Sequence, residues 1–439
     1  MNRISIFIIL ATLLFTSCKK ESKAPVTSAK LKITSLWPDN GQAAMIVTIN
    51  GKNFSSNPAA NIVKFNGVDA VVIEASATQL QVVSPSNAGN GKVTITLNGQ
   101  SAEGPVFTYK AAPASEYIVS TFAGDGTAGL FNGAAADAQF RNPEGLAVDA
   151  QGNVIVADRQ NHTIRKISPA GQVTTIAGDG TAGYADGTGT AAKFSSPWKL
   201  AIDPLGNIIV ADRDNFKIRK IAPDGAVTTL AGSTAGFADG TGSAAKFMQP
   251  LDVVADAQGN IYVADNTAHR IRKVSPSGTV TTLAGDGTAG YLDATGVQAK
   301  FRNPSGLTVD QQGNIIVADR LNHRIRKITP AGTVSTIAGA GTTGLLDGDA
   351  LTAKFADPYG VAVDAGGNIL VAELTNARIR KITPVGQVST LAGSSAGFAD
   401  GLSVNAKFNQ PTDLDIDAKG NIYVAEVTNH RIRMIRLIK

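Results

Sequence analysis

The chain has 439 residues, of which 43% are hydrophobic, 6% are aromatic and 46 are glycine. Because it contains one cysteine, an internal disulfide is excluded and packing alone must hold its domains. The formal charge of +5 would suit nucleic acid, but much of the basic content recurs at regular intervals instead of forming one patch. We therefore expect no nucleic-acid partner.

The first segment has the pattern of a secretory signal. A basic start precedes an apolar run over residues 4–15, which is too short for a membrane-spanning helix, and Thr16-Ser17-Cys18 follows. Residues 1–17 resemble a bacterial lipoprotein signal peptide, although Phe15 replaces the usual leucine. The resemblance implies acylation of Cys18, and the alternative is an ordinary signal peptide in which this cysteine has no special role.

Residues 18–29 are polar, contain one proline and lack an apolar pattern, so they predict a flexible tether. Together with the signal they predict an exported protein that a lipid anchor holds in the bacterial cell envelope. The resemblance implies the outer membrane, and it leaves open whether the protein faces the cell surface.

Residues 30–110 form a separate unit of short alternating segments, followed by a linker at 111–116. The clearest segments are Met45–Asn50, Ile62–Phe65, Gln79–Val83 and Lys92–Leu97. Six or seven short strands at this spacing predict an antiparallel sandwich. The runs Val47-Thr48-Ile49-Asn50-Gly51 and Gly104-Pro105-Val106-Phe107-Thr108-Tyr109 resemble an IPT/TIG immunoglobulin-like domain. The resemblance implies a stalk or docking module, with direct ligand binding by this unit as the alternative.

Six near-copies of one segment fill residues 117–439. The aspartate that closes the first phrase of each copy recurs at Asp149, Asp203, Asp256, Asp310, Asp364 and Asp417. So strict a period predicts a repeat architecture. Each copy holds four strand-like phrases, which in the first copy are Leu146–Asp149, Val154–Asp158, Ile164–Ile167 and Val173–Ala177. Four strands make a propeller blade, so we predict an all-β chain that ends in a six-bladed propeller.

The two ends of the repeat region predict how the ring closes. The last copy stops after its third phrase, at residues 431–438, and an orphan fourth phrase, Val119–Phe122, stands ahead of the first copy. If the orphan phrase pairs with the last strand, two exposed sheet edges disappear. We therefore predict a seam that joins the chain's two ends.

The third phrases identify a family. The runs Asn161-His162-Thr163-Ile164-Arg165-Lys166 and Asn322-His323-Arg324-Ile325-Arg326-Lys327 resemble the NHL repeat. Two copies depart from the pattern at the histidine, with Phe216 and Ala377. The resemblance implies a six-bladed NHL β-propeller. Some NHL proteins bind RNA, but an exported lipoprotein would not meet that partner.

Residues that every copy repeats are better explained by the fold than by function. The acids at the end of each second phrase are Asp158, Asp212, Asp265, Asp319, Glu373 and Glu426. We predict that they cap the following turn, and a cation-binding ring is the alternative. The histidines His162, His269, His323 and His430 share one blade position and lie too far apart to bind one metal ion. No metal site is predicted.

The copies differ most just after the proline that opens each first phrase, and in the loops after the second phrases. Both sets should surround one mouth of the central channel. The predicted ligand-binding residues are Glu144, Arg159, Trp198, Lys199, Arg213, Asp252, Arg320, Tyr359 and Asp413. Trp198 and Tyr359 would supply flat apolar faces, and the charged groups would orient a polar ligand. Relaxed constraint on loops is the alternative explanation of this variation.

Binding is favoured over catalysis. In peptide-amidating lyases, which this propeller resembles, zinc-binding histidines follow the opening prolines, and here none does. Gluconolactonase-like propellers gather calcium on the axis, and Glu144, Asp252 and Asp413 approximate such a set by residue type alone. We predict no catalytic residue and no cofactor. The preferred function is an envelope-anchored binding or scaffold protein for a glycan or protein ligand, and the alternative is a calcium-dependent hydrolase or lactonase-like enzyme.

Overall fold

A computed structural model of the chain describes residues 30–41, 45–85, 88–109 and 117–438. The chain divides between residues 111 and 112 into two compact units. The predicted signal peptide, Cys18, the tether at 18–29 and the linker at 111–116 lie outside the described residues. Over the described ranges, no helix is both long enough and apolar enough to cross a bilayer.

The first unit is an immunoglobulin-like β-sandwich. Its strands are Lys32–Trp37, Asn40–Gly41, Ile46–Lys52, Ile62–Phe65, Val68–Ala75, Gln79–Val83, Gly91–Leu97 and Gln100–Tyr109. The strand Val68–Ala75 pairs on one edge with Ile62–Phe65 and on the other with Gln79–Val83, so it links the two layers. Val47, Ile49, Phe65 and Phe107 lie in the core between the layers and are fully buried. The predicted sandwich is confirmed, with one or two more strands than expected.

The second unit is a six-bladed propeller, and the predicted all-β fold is confirmed. The inner strands are Pro143–Val148, Pro197–Ile202, Pro250–Ala255, Pro304–Val309, Pro358–Val363 and Pro411–Ile416. The second strands are Val154–Asp158, Ile208–Asp212, Ile261–Asp265, Ile315–Asp319, Ile369–Glu373 and Ile422–Glu426. The third strands are Thr163–Ile167, Lys217–Ile221, Arg270–Val274, Arg324–Ile328, Arg378–Ile382 and Arg431–Leu437. The outer strands are Gln172–Ala177, Ala226–Ala231, Thr279–Ala284, Val334–Ala338, Gln387–Ala392 and Tyr117–Ala123.

Short elements complete the blades. Five blades carry a two-residue fifth strand outside the outer strand: Gly133–Ala134, Gly187–Thr188, Gly240–Thr241, Gly348–Asp349 and Gly401–Leu402. The repeats did not predict these strands. A single 3₁₀ turn lies in the first unit at Pro58–Ala60. Those of the propeller lie at Arg159–Asn161, Gly189–Ala191, Arg213–Asn215, Gly242–Ala244, Asn266–Ala268, Gly296–Gln298 and Arg320–Asn322.

The predicted seam is confirmed. The strand Tyr117–Ala123 pairs antiparallel with Arg431–Leu437, so that Val119 lies opposite Ile435 and Ser120 opposite Met434. The first strand of the propeller therefore completes the last blade, and neither sheet edge is left open at the chain's ends.

Each blade is held by a buried ion pair between its second and third strands. In the first blade, Arg165 Nη1 donates to Asp158 Oδ2 at 2.7 Å, and both side chains are fully buried. Asp158 also accepts from Asn161 Nδ2 and from the backbone N–H of Arg141. The equivalent arginines are Arg219, Arg272, Arg326, Arg380 and Arg433. The acids at the ends of the second strands were predicted to cap the following turn, and this prediction was wrong. In the four blades where a 3₁₀ turn follows, these acids accept no backbone N–H of that turn.

The histidines join neighbouring blades. His162 Nδ1 accepts the backbone N–H of Ser196 at 3.1 Å, and each of the other three binds the corresponding connection of the next blade. All four histidines have a backbone φ between 52° and 54°. Phe216 and Ala377, at the same position in the other two blades, have φ values within a few degrees of these. Among the described residues, no cluster of three His, Cys, Asp or Glu side chains could hold a metal ion.

Candidate functional site

The inner strands place six different side chains around one end of the ring axis. In five blades a β-bulge follows the opening proline directly, and the second blade has a longer register shift there. A bulge re-aims the side chain beside it. The residues at this position are Glu144, Trp198, Leu251, Ser305, Tyr359 and Thr412, and all six are buried. We call this end, where the inner strands begin and the second strands stop, the arginine end.

Trp198 and Tyr359 form the centre of a hydrogen-bonded group. Trp198 Nε1 donates to the Tyr359 hydroxyl at 2.9 Å, and that hydroxyl is hydrogen-bonded to the Glu144 carboxylate. Burial raises the pKa of Glu144 to about 7, although Arg159 and Lys199 lower it. The three side chains come from the second, fifth and first blades, so the group ties distant parts of the ring together.

Three guanidinium groups cover the two aromatic rings. Arg159 and Arg213 lie 4.6 and 4.3 Å from the centroid of the Trp198 ring, and Arg320 lies 5.3 Å from the centroid of the Tyr359 ring. The prediction that the two rings offer open apolar faces was therefore wrong, since Trp198 is only 9% exposed and Tyr359 only 3%. The arginine side chains, 20 to 29% exposed, are what this group presents to solvent.

Each of these arginines has one carboxylate neighbour. Arg213 lies 2.8 Å from Asp214. Arg159 Nε lies 3.2 Å from Glu144, and Arg320 Nε lies 3.8 Å from Asp357. Neither of these Nε groups makes a hydrogen bond of suitable geometry with a described residue. Both Nε atoms are buried, so any donor of these two groups that solvent reaches is a terminal guanidinium nitrogen.

Below the aromatic pair, Lys199 lies between two aspartates on the axis. Its Nζ is 3.0 Å from Asp413 Oδ1 and 3.5 Å from Asp252 Oδ2, and the lysine is fully buried. Burial alone would lower the pKa of Lys199, but the two carboxylates raise it above its ordinary value, so the group is an ammonium ion. Burial raises the pKa of Asp252 to about 7, against the opposing effect of Lys199.

Two glycines make room for Lys199 and Asp413. At the position of Lys199, Asp252 and Asp413, the other three blades have Gly145, Gly306 and Gly360. A Cβ on Gly145 would lie 2.6 Å from Lys199 Cα, and one on Gly360 would lie 2.8 Å from Asp413 Cα. Contacts this short are not tolerated, so the large side chains on the axis require glycine beside them.

A cavity of about 170 Å³ follows on the axis, toward the other end of the ring. Asp252, Asp413, Asp415 and Thr308 are its polar lining, and the rest is mostly aliphatic. Asp415 accepts the backbone N–H groups of Val148 and Ile416, and burial raises its pKa to about 6.

The structure brings all nine predicted residues together at or just below one end of the axis, and ligand binding by them stays a prediction. Sequence reasoning missed Asp415, Asp357 and Gln249, whose side-chain amide faces Arg213. A signal for Asp415 was present, since the equivalent positions in the other blades are Ala147, Ala201, Val254, Thr308 and Ala362 and carry no charge.

Comparison with protein families matches both units. Residues 31–109 match the IPT/TIG domain. Residues 140–167 and 408–433 match the NHL repeat, and residues 185–394 match the SMP-30/Gluconolactonase/LRE-like region.

Curated relatives share part of the chain. Protein SUPPRESSOR OF QUENCHING 1, chloroplastic, of Arabidopsis thaliana is 30% identical over 277 residues, which cover 58% of this chain and 26% of the relative. NHL repeat-containing protein 2 of Bos taurus is 30% identical over 295 residues, which cover 57% of this chain and 40% of the relative. The chain thus spans less than half the length of these relatives.

Solved structures show the same fold. An auxiliary nutrient binding protein from Bacteroides thetaiotaomicron aligns with a TM-score of 0.58 at 18% identity, over 94% of this chain and 98% of that one. Another from Bacteroides ovatus aligns with a TM-score of 0.57 at 19% identity, over 93% and 98%. The chain therefore consists of an IPT/TIG immunoglobulin-like domain followed by a six-bladed β-propeller of NHL- and SGL-type repeats.

Proposed function

We propose that this chain is an exported, envelope-anchored binding protein whose propeller presents the arginine end to a glycan or protein ligand. The observation that carries the proposal is the convergence of Arg159, Arg213 and Arg320, from three blades, on the Trp198–Tyr359 pair. The rigid inner strands fix the aromatic pair, and the pair in turn orients the guanidinium groups. A fixed set of partly exposed donors is what specific binding requires.

The similar solved structures support a binding role. Two proteins of the same fold, both from Bacteroides, are described as auxiliary nutrient binding proteins. In this chain the repeated residues are used in blade-forming ion pairs and blade-joining histidine contacts. The positions that differ between blades are therefore the ones available for a ligand.

The N-terminal sequence supports the anchoring part of the proposal. Cleavage of residues 1–17 would leave Cys18 as an acylated N-terminus, and several acyl chains hold a protein firmly on a bilayer. The polar residues 18–29 would then separate the folded units from the membrane. The outer membrane is the proposed location.

A calcium-dependent hydrolase or lactonase-like enzyme is the second candidate, because residues 185–394 match the SMP-30/Gluconolactonase/LRE-like region. The axial residues do not fit a calcium site. The Lys199 ammonium occupies the space between Asp252 and Asp413, and Glu144 is paired with Arg159. Calcium takes six to eight oxygen ligands, and a neighbouring ammonium would repel it.

Binding of the purified full chain to a glycan and peptide array tests the proposal. The Arg213→Gln variant should lose signal on every bound ligand, whereas Arg436→Gln, an exposed arginine at the other end of a third strand, should bind as the wild type does. Binding that Arg213→Gln leaves unchanged would move the site away from the arginine end. Tightly held calcium together with lactone hydrolysis that Glu144→Gln abolishes would favour the enzyme instead.

A further inference from the structure

The geometry points to a ligand class: we infer that the arginine end binds oligosaccharides that carry oxyanions, either carboxylate or sulfate. The inference rests on the proposed binding function and names the chemistry of its ligand. Three features carry it: the grouping of partly exposed guanidinium groups at one end of the axis, the charge of that end, and the side chains around it.

The guanidinium groups of Arg159 and Arg213 both contact the Trp198 ring. Each lies within 4.6 Å of the centroid of that indole ring, so two cations from neighbouring blades are grouped at one end of the axis. The two groups repel each other, and an anion bound at this end lowers the repulsion. The contact with the Trp198 ring holds both groups in place before any ligand arrives.

Local carboxylates do not cancel the positive charge of this end. Arg141 and Arg302, both exposed, lie on the connections beside Arg159 and Arg320 and add two cations. Against these five arginines stand Glu144, Asp214 and Asp357, and just below them Lys199 faces both Asp252 and Asp413, so six cations face five carboxylates. The excess of cations attracts negatively charged ligands from solution.

Guanidinium groups have the geometry that oxyanions need. Guanidinium is a planar fork that binds two oxygens of a carboxylate at once, and oxyanions such as sulfate present a similar pair of acceptors. The Nε atoms of Arg159 and Arg320 are buried, so a ligand would bind the terminal nitrogens of these guanidinium groups. Arg213 and Arg320 are 25 and 29% exposed in their side chains, so a ligand can reach them.

The surroundings favour a saccharide over an acidic peptide. Most exposed side chains on the loops of this end are amides and hydroxyls: Gln160, Thr267, Thr375, Gln410 and Thr428. Such groups both donate and accept hydrogen bonds, which matches sugar hydroxyls.

Titration calorimetry with the purified full chain tests the inference. The probes are an oligogalacturonide, a sulfated galactan oligosaccharide, an uncharged galactan oligosaccharide of equal length and an oligoglutamate peptide. We expect at least one acidic saccharide to bind about tenfold or more tightly than the uncharged one, with an affinity that falls as salt rises. Arg213→Gln and Arg320→Gln should each weaken that binding about tenfold, and Arg436→Gln should leave it unchanged.

Other outcomes separate this inference from the function on which it rests. Equal affinity for charged and uncharged saccharides, unaffected by Arg213→Gln, would overturn the inference and leave a binding role intact. Tighter binding of the peptide would overturn the saccharide class. Failure of every probe, in a protein whose circular dichroism is that of a folded β-protein, would contradict both the inference and the proposed role. The relative affinities of the galacturonide and the sulfated galactan assign the oxyanion.

Discussion

The ammonium nitrogen of Lys199, in the second blade, lies 3.0 Å from the Asp413 carboxylate of the sixth blade. A second carboxylate, from Asp252 in the third blade, lies 3.5 Å away. One buried cation therefore joins three blades at the axis, where the inner strands meet. A measurement of the unfolding free energy can detect what this contact between Lys199 and the two aspartates contributes.

Replacing Lys199 should destabilise the propeller strongly. The variant Lys199→Met leaves Asp252 and Asp413 buried without their cation, and breaking a buried ion pair from one side costs about 3 to 5 kcal/mol of unfolding free energy. Urea denaturation measures the change. Lys419→Met removes an exposed lysine and should lie within about 0.5 kcal/mol of the wild type. Equal denaturation midpoints for the two variants would show that the axial pair adds no stability.

Asp415 should make stability depend on pH. Its pKa is about 6 in the folded protein because of burial, and about 3.9 in an unfolded chain. The folded state thus holds this proton more tightly, so the stabilisation is complete below about pH 4 and is lost as pH rises through 6.

The Asp415→Asn variant should lack this loss. Between pH 4 and 6 the wild type should lose about 2 kcal/mol more unfolding free energy than the variant. Denaturation curves for both proteins across that range measure the difference. Because Glu144 and Asp252 titrate in both proteins, their contributions cancel when the two profiles are subtracted. Parallel pH profiles would mean that the Asp415 carboxyl titrates as it does in water.

A disulfide across the seam should stabilise the ring. Ser120 and Met434 lie opposite each other in the pairing of the first and last propeller strands. The double variant Ser120→Cys, Met434→Cys should form a disulfide that closes almost the whole propeller and adds about 2 to 4 kcal/mol. Mass spectrometry and thermal unfolding, with and without reductant, check this. Two free thiols after oxidation would be incompatible with the observed register.

Gly145 should tolerate no side chain. In Gly145→Ala the new methyl group would meet the backbone of Lys199 at 2.6 Å, and overpacking of this kind costs about 1 to 3 kcal/mol. Gly366→Ala is the matched control, because its Cβ meets only side-chain atoms, at 3.2 Å or more. Thermal denaturation should separate the two variants. If Gly145→Ala melts with the control, the axis is looser than the distances indicate.

Cys18 should carry the proposed lipid anchor. In a bacterial host that acylates lipoproteins, labelled palmitate should enter the wild type and not Cys18→Ser, because the variant lacks the acceptor thiol. The wild type should sediment with membranes and the variant should remain in the soluble fraction. Ser17→Ala, which keeps the thiol, is the control. Equal labelling of the two variants would rule out acylation at Cys18.

The fold was predictable because each blade repeats the same buried apolar pattern. Val154 and Ile164 stand in phrases whose period and β-branched residues predict strands, and the orphan phrase at Val119 predicted the seam. The two-residue strands such as Gly133–Ala134 could not be predicted in this way. They are glycine-rich and too short for an alternating pattern, and only pairing with the outer strand defines them.

The candidate site was predictable in its location but not in its packing. The residues after the opening prolines do surround the axis, yet the sequence alone could not show that Trp198 and Tyr359 hydrogen-bond across it. Gly145 leaves room for Lys199 of the next blade, and Gly360 leaves room for Asp413, contacts that form only when neighbouring blades pack together. The exposed part of the group is therefore arginine and not aromatic.

A crystal structure of the chain with an oligosaccharide that binds in titration calorimetry would show which end of the propeller holds the ligand. Electron density for the ligand should lie at the arginine end, with an oxyanion or hydroxyl oxygen within hydrogen-bonding distance of Arg159, Arg213 or Arg320. Density in a groove at the opposite end, such as the one between the first two blades beside Leu205, would contradict the account.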